Sequence, residues 1–283
     1  MLQHVNRVQY HYSITIEHEH SADLTAWGLR ANAIFFLTDT SVTDPQWRVL
    51  VNPADGSASP DAELPYPADA TNRKEHHEAW LKGEDIPVMS SLPPTLGESE
   101  VLMRSPKHVA KRLAALTLVA IRAESLSSER PIEPAEMRDR FPSVFDALSP
   151  NERAFMKTAA PSPLTAIDFA WKYEAAATLR WALKRTDDFP FPDQLCDVAT
   201  TAADFVKIGY DALLADATLR PTPDILNQAD LHLRLHWAAR QARIKQTDPP
   251  RGLLSVVVQE RRQALNWLIR LGDAEWDDVD TST

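Results

Sequence analysis

The first regular pattern along the chain is an alternation of apolar and polar residues over residues 8–16, VQYHYSITI. Apolar or aromatic side chains occupy every second position, and the residue types are those that favour strands, so the pattern predicts a half-buried β-strand. Two shorter stretches, residues 33–37 and 47–51, show a similar preference. We therefore expect a small antiparallel sheet near the start of the chain.

From residue 105 onward the apolar positions recur with a helical period instead. Ser105–Pro106 and Ser149–Pro150 each place a capping hydroxyl before a proline in the first turn, which is a typical helix start. Further helical patterns cover residues 164–185, one or two segments in 193–216, then 224–245 and 253–271, with Gly272 suited to end the last of them. Prolines fall almost entirely between these segments, which supports the division.

The two regions are separated by irregular sequence. Residues 53–70 contain four prolines and lack an apolar period, a short helix is expected at 72–81, and residues 85–98 are irregular again. The predicted fold class is α+β and predominantly α-helical, with a small N-terminal antiparallel β region and a helical domain of six to eight helices. We expect a β-containing region with a proline-rich linker at residues 1–95 and a helical domain at residues 96–283.

Composition narrows the functional classes. The 283 residues are 44% hydrophobic with a formal net charge of −10, which predicts a folded protein and disfavours nucleic-acid binding, although a basic partner protein would suit the charge. The single cysteine, Cys196, excludes an internal disulfide and a cysteine zinc cage, and its acidic neighbours predict an unreactive thiol. Apolar stretches are too short for a membrane span, and glycine-rich phosphate loops are absent. These features favour a cytoplasmic protein without a cofactor.

His232 and His236 form the one pattern with metal-binding spacing. Residues four apart share a helix face, which allows two imidazoles to bind one divalent metal. Leu233 stands where a zinc protease has its catalytic glutamate, so that chemistry lacks its general base. Candidate third ligands are Glu260, Asp277, Asp278, His18 and His20. The alternative, two structural histidines, is the commoner case for such a pair.

Charged residues also fall on apolar helix faces. Glu260 shares a face with Leu253, Val257 and Leu268, where an ionised carboxylate needs a partner. We expect an ion pair with an arginine of the preceding helix, Arg234 or Arg240. Glu174 is expected to join the same network, which has a structural interpretation as well as a catalytic one. The remaining polar candidates for this network are Asp230, His236, Arg261, Asn266, Asp277 and Asp278.

Tryptophans are concentrated in the same part of the chain. Trp171 and Trp181 approximate one helix face, which predicts core packing or, alternatively, an aromatic ligand pocket. The other candidate pocket aromatics are Trp237, Trp267 and Trp276. The acidic ending EWDDVDTST lacks the spacing of a calcium loop, so we expect Trp276 to pack back on the helices.

Several of these segments occur together in one known order. RSPKHVAKRLAALTLVAIRAE, LSPNERAF, WKYEAAATLRWAL, FPFPDQLCDV, DLHLRLHWAARQAR, ERRQALNWL and WDDVDTST resemble a bacterial family catalogued as a domain of unknown function, family four-two-seven-two. The resemblance covers about residues 92–283. The resemblance implies that this chain shares the family's fold and polar cluster, and it implies no particular activity. Members of that family often have an aromatic residue at the position of His232.

Three functions remain open from the sequence. The first is a non-catalytic protein-binding module of the immunity or accessory type, which predicts an exposed apolar or acidic patch away from the polar network. The second is a metal-dependent hydrolase that uses His232 and His236 in an open cleft. The third is a small-ligand sensor with a pocket lined by Trp171 and Trp181. The sequence does not indicate an oligomeric state.

Overall fold

The computed structural model describes residues 2–5, 7–8, 10–16 and 21–282. Its chain divides into two compact units, one made of residues 1–72 with 96–100 and the other of residues 73–95 with 101–283. The division therefore falls before the expected boundary near residue 95. The reason is that α3 (Ala68–Gly83) contributes Leu81 to a cluster with Ile86 and Leu235, so its second half belongs with the later helices.

The first unit contains the predicted sheet in a shorter form. Strands β1 (Phe35–Phe36), β2 (Val42–Thr43) and β3 (Val49–Val51) pair antiparallel in the order β1–β2–β3, after helices α1 (Leu2–Val5) and α2 (Ser21–Ala31). The register pairs Phe35 with Thr43 and, on the other side, Thr43 with Val49. The stretches 33–37 and 47–51 thus contribute strands as expected.

The strand predicted at residues 8–16 is wrong. None of its described residues lies in a strand, and its apolar side chains face solvent, with Tyr10 71%, Tyr12 66% and Ile14 50% exposed. An alternating segment becomes a strand only when a neighbouring edge supplies hydrogen bonds. No described segment of the chain supplies such an edge to it.

The second unit is helical. After α3 it contains α4 (Pro106–Ser125), α5 (Pro134–Arg140), α6 (Pro142–Phe145), α7 (Pro150–Lys157), α8 (Pro163–Ala170), α9 (Lys172–Ala182), α10 (Val198–Ile208), α11 (Tyr210–Ala215), α12 (Thr222–Lys245) and α13 (Ser255–Leu268). Seven of the described helices beyond residue 96 have eight residues or more, namely α4, α7, α8, α9, α10, α12 and α13, which agrees with the predicted six to eight. No helix in the described residues is long and apolar enough to cross a membrane.

Local capping explains where these helices start. The Ser105 side chain accepts a hydrogen bond from the His108 amide ahead of α4, and Ser149 forms a reciprocal capping box with Glu152 at α7. The stretch 164–185, expected as one helix, is divided at Trp171 into α8 and α9. The last helix ends at Leu268, before the expected Gly272, because Arg270 adopts a left-handed conformation.

The core of the second unit lies between α4, α9, α12 and α13. Helix α4 packs on α9, α9 on α13, and α13 on α12. Leu116, Leu179, Leu235 and Leu265 are among the fully buried side chains at these contacts. This arrangement brings the charged faces of α12 and α13 into the interior, where the polar candidates lie.

Candidate functional site

The centre of the buried polar network is Asp230 on α12, whose side chain is completely buried. One carboxylate oxygen accepts from Arg234 Nη2 at 2.8 Å and from the Thr95 amide at 3.1 Å. The other accepts from Arg234 Nε at 2.9 Å and lies 2.9 Å from His77 Nδ1. Burial raises the pKa of Asp230, but the bonds from His77 and Arg234 outweigh it and hold the pKa below its usual value. All four contacts of this carboxylate are therefore internal.

Arg234 connects this carboxylate to α3. Its side chain is 2% exposed, and its Nη1 donates to Glu78 Oε1 at 3.1 Å. On the same helix, Arg73 Nε donates to Asn227 of α12 at 3.2 Å. These bonds span more than 150 residues of sequence and fix α3 against α12. We name His77, Glu78, Asp230 and Arg234 the Asp230 cluster.

Two members of the Asp230 cluster, His77 and Glu78, were not among the residues that the sequence suggested. They stand in RKEHHEAW, a polar-looking helix that the sequence assigned to the linker side of the boundary. Their helix also carries the buried Leu81. The apolar residues of 72–81 are only Ala79, Trp80 and Leu81, which are consecutive, so the sequence carried no apolar stripe that would mark this helix as buried.

Glu260 does not pair with an arginine as predicted. Both its oxygens accept from Lys172 Nζ, at 2.8 and 2.9 Å, while Arg234 donates to Asp230 and Glu78. Glu260 leaves α13 on the side that faces the start of α9, so the expected pair between the last two helices does not form. Burial raises the pKa of Glu260 in spite of the neighbouring Lys172.

Glu174 and Arg261 form a second buried ion pair nearby. Arg261 Nε donates to Glu174 Oε2 at 3.2 Å and its Nη1 to the Pro190 carbonyl at 2.6 Å, and both side chains are almost fully buried. The other Glu174 oxygen accepts from the Cys196 amide at 2.6 Å. Burial, followed by the charge of Glu174, raises the pKa of the Cys196 thiol to about 12, so the thiol is unreactive at neutral pH.

His232 behaves as a buried aromatic ring. Its ring centroid lies 5.4 Å from that of Phe189, and Nδ1 lies 2.9 Å from the Gln228 carbonyl, one turn earlier. Nε2 is buried without a hydrogen-bond partner. Burial, with the charge of Arg261 second, lowers the pKa of His232 to about 3, so the imidazole is neutral at neutral pH.

His236, one turn later, is held by a different neighbour. Its Nδ1 accepts from Arg262 Nη1 at 2.7 Å. Burial, with the charge of Arg262 second, lowers the pKa of His236 to about 4. The two imidazoles thus engage separate partners on one helix face.

The candidate third ligands do not join these histidines. Glu260 bonds to Lys172, Asp277 Oδ2 accepts from the Asn151 amide, and Asp278 is exposed. His18 and His20 lie outside the described residues. Within the part of the chain that the structure describes, no three side chains of His, Cys, Asp or Glu are grouped to hold a metal ion.

The five tryptophans line no common pocket in the described structure. Trp171 is half-buried between α8 and α9, Trp181 stacks on Phe189 at 4.6 Å, and Trp237 packs on the Leu81–Leu235 cluster. Trp267 and Trp276 meet edge to face at 5.7 Å. Side chains of the core therefore occupy the space around Trp181 in place of a ligand.

The closing segment, residues 274–282, packs back on the helices as predicted. Trp276 is 4% exposed and lies under the guanidinium of Arg112. Arg262 donates to the carbonyls of Thr281 and Ser282, at 2.5 and 2.9 Å, and Asn266 donates to the Asp280 carbonyl. Burial lowers the pKa of Arg262 to about 10, which leaves it charged at neutral pH.

Replacing Arg262 by glutamine is expected to release the closing segment. The variant loses the donors to the Thr281 and Ser282 carbonyls and to His236 Nδ1, and each charge-assisted bond contributes roughly 1.5–3 kcal/mol. Hydrogen exchange of the amides of residues 278–282 should therefore become faster, while the core of α12 stays protected. Arg270→Gln, which removes an exposed pair with Asp273, is the matched control and should leave this exchange unchanged. Equal protection in Arg262→Gln would show that the segment is held by other contacts.

Comparison with known proteins identifies a family for this chain, and that family has no described activity. The sequence model of a protein family described as a domain of unknown function, DUF4272, matches residues 73–279. No curated protein and no solved structure matches the chain. The matched range begins where the helical unit begins and includes the second half of α3, which the resemblance at residues 92–283 left out. Because this range covers more than half of the sequence, the chain belongs to the DUF4272 family.

Proposed function

We propose that this protein is a non-catalytic, intracellular protein-binding module of the immunity or accessory type. The observation that carries the proposal is the exposed alternating segment at residues 10–16. Tyr10, Tyr12 and Ile14 are each at least half exposed and recur at every second position. Monomeric proteins seldom leave such an apolar row in water, and an exposed row commonly marks a surface for a partner.

The alternation also indicates how a partner would bind. A segment with a period of two can add as a strand to the open edge of another sheet, where its backbone gives hydrogen bonds and its apolar row fills pockets. The edge-to-face contact of Tyr12 with Trp27, at 5.8 Å between centroids, orients one member of the row on the first unit. We therefore propose a partner protein with an exposed strand edge, and the net charge of −10 favours a basic one.

The buried ion pairs support a structural role for the helical unit. The Asp230 carboxylate is hydrogen-bonded to Arg234, His77 and the Thr95 amide. Both oxygens of Glu174 are also bonded, one to Arg261 and one to the Cys196 amide. A general acid or base needs a free position within hydrogen-bond reach of a substrate. Carboxylates bonded in this way serve to hold helices in register.

A photo-crosslinking amino acid at position 10 is expected to capture the partner in cells of the native host. Tyr10 is 71% exposed, so the reactive ring would lie in the proposed interface and give a discrete adduct heavier than the 31.7 kDa chain. Leu164 on α8, 75% exposed, is the matched control position and should give no such adduct. Failure to form an adduct at position 10, or the same adduct at both positions, would contradict the proposed interface. An adduct of twice the chain mass would show that the protein captured at position 10 is a second copy of this chain.

A further inference from the structure

The three-stranded sheet of the first unit has one covered edge and one open edge among the described residues. At the β3 edge, the Val49 carbonyl accepts from the Ser59 amide at 2.7 Å, and the Val49 amide donates to the Ser59 hydroxyl at 3.0 Å. At the other end of the sheet, no described segment pairs with the outer side of β1. The Leu37 amide donates to the Ser41 carbonyl at 2.9 Å, and hydrogen-bonded pairs alternate along an antiparallel ladder. Phe36 therefore directs its N–H and C=O groups away from β2, towards the open edge.

The open edge of β1 lacks the side chains that commonly protect such edges. Charged residues and prolines usually keep a second strand from adding to an exposed edge. Residues 33–37, AIFFL, contain neither. The Phe36 side chain is 66% exposed, and Trp47, 36% exposed, contacts the neighbouring Phe35 with 5.2 Å between ring centroids. The edge is therefore apolar, uncharged and exposed to the backbone of another strand.

Residues 10–16 of the same unit have the pattern that this edge would accept. Their side chains alternate, Tyr10, Tyr12 and Ile14 are at least half exposed, and no described segment supplies them with an edge. The sequence YHYSITI contains no Asp, Glu, Lys or Arg. With a net charge of −10, two copies of this chain repel each other, so they associate most readily through uncharged surfaces. Because the segment and the edge are both uncharged, a second copy is a suitable occupant of the β1 edge.

Helix α2 keeps the segment away from the β1 edge of its own copy. Gly28 of α2 packs so closely on the Phe35 ring that an added Cβ would lie 2.6 Å from it. Trp27, the preceding residue of α2, contacts Tyr12 edge to face at 5.8 Å. Consecutive helix residues point about 100° apart, so α2 contacts β1 with one side and the segment with another. The β1 edge is therefore left for a strand from outside the copy.

We propose that two copies of this chain associate by reciprocal strand addition, in which residues 10–16 of each copy bind along the β1 edge of the other. The two contacts are identical and related by a twofold axis, so each copy is linked to the other twice. The added strand bonds to the backbone of Phe36 and covers its ring. The inference rests on the strand-addition mode proposed for residues 10–16, and it adds a form of regulation, since the partner protein reaches this segment only by displacing the second copy.

Sedimentation velocity of the purified full chain tests the association. We expect twice the mass of one chain, 31.7 kDa, at about 100 µM and a shift towards the single chain on dilution to about 1 µM. A sample that stays monomeric over this range would overturn the inference. A light copy mixed with a ¹⁵N-labelled copy, each with a photo-crosslinking amino acid at position 10, should give light–heavy links to residues 33–37. Light–heavy links only to other residues would also overturn it.

Lysine variants identify the surfaces that associate. Phe36→Lys places a charge on the edge and Ile14→Lys places one in the segment, and each should weaken the association by at least about tenfold because strand addition is opposed by charge at an edge. Leu164→Lys, at a side chain of the helical unit that is 75% exposed, is the matched control and should associate as the native protein does. Unchanged association of Phe36→Lys or Ile14→Lys, or equal weakening in Leu164→Lys, would overturn the inference.

The same variants separate this inference from the proposed function. In host cells, with the crosslinker at position 10, Phe36→Lys should lose the adduct between two copies and keep the adduct with the partner, whereas Ile14→Lys should lose both. A monomeric native protein that still gives the partner adduct would overturn the self-association and leave the proposed function standing. A dimer linked at residues 33–37 that gives no partner adduct would overturn the proposed function and leave the self-association standing.

Discussion

Replacing Asp230 by alanine is expected to lower the free energy of unfolding of the helical unit by about 3–5 kcal/mol. The substitution removes the bidentate partner of Arg234 and leaves a guanidinium that is 2% exposed with only Glu78 and one carbonyl, that of Pro93, to compensate it. It also removes the acceptor of the Thr95 amide. For a unit of this size the thermal midpoint should fall by about 10 °C, which differential scanning calorimetry would detect.

Two control variants distinguish the effect of leaving a buried charge unpaired from the effect of losing an ion pair at the surface. Asp187→Asn removes a carboxylate that also pairs with an arginine, Arg220, but is fully exposed, and it should leave the midpoint unchanged. Asp230→Asn combined with Arg234→Met removes both charges of this pair and keeps an acceptor for the Thr95 amide, while Glu78 keeps Lys74 at 3.8 Å, so the double variant should recover much of the lost stability. A midpoint for Asp230→Ala equal to that of Asp187→Asn would mean that the Asp230 cluster does not hold α3 on α12.

Acid is expected to destabilise this protein from about pH 6.5 downward, with His232 as a main cause. Its pKa is lowered to about 3 in the folded protein and stands near 6.5 in the unfolded chain, so below pH 6.5 the unfolded chain binds a proton that the folded protein excludes. The stability contributed by the neutral imidazole is fully present above pH 6.5 and is lost as the pH falls towards 3. The loss should approach about 1.4 kcal/mol per pH unit, and His236, with a pKa of about 4, adds to it over pH 6.5–4.

His232→Phe should remove this contribution and keep the packing against Phe189. The phenyl ring cannot take up a proton, and it replaces an Nε2 atom that is buried without a partner. Urea unfolding at a series of pH values should therefore show a shallower decline for His232→Phe between pH 6 and pH 4, with similar or higher stability at pH 7. His76→Asn, at an exposed histidine on α3, should keep the native slope. An unchanged slope in His232→Phe would show that this imidazole is protonated in the folded protein.

Features that depend on only a few neighbouring residues, such as the starts of helices, could be predicted from the sequence. The caps at Ser105 and Ser149 and the prolines that follow them set the starts of α4 and α7 through bonds within one turn. The lack of calcium-loop spacing in the acidic ending, together with its tryptophan, led to the correct expectation that Trp276 packs back on the helices. The stretches at 33–37 and 47–51 became strands because each pairs with β2 (Val42–Thr43), which lies between them in sequence and in the sheet.

Contacts between distant segments could not be read in the same way. Glu260 was recognised as a buried carboxylate, but its partner Lys172 lies 88 residues earlier, and the direction in which Glu260 leaves α13 depends on how α9 packs. His77 reaches Asp230 across 153 residues. The alternation at residues 8–16 was visible, yet a strand also requires a second edge, and the sequence does not reveal that the described part of the chain lacks one for it.

We propose that the buried polar network holds the helices together while residues 10–16 bind the partner. The most direct test is photo-crosslinking from position 10 in the variant Asp230→Asn/Arg234→Met, which lacks the buried Asp230–Arg234 ion pair, with folding of the variant checked by circular dichroism. We expect the folded variant to give the same adduct in the same yield as the native protein. Loss of the adduct from a variant that remains folded would contradict this proposal, because it would show that the network itself takes part in partner binding.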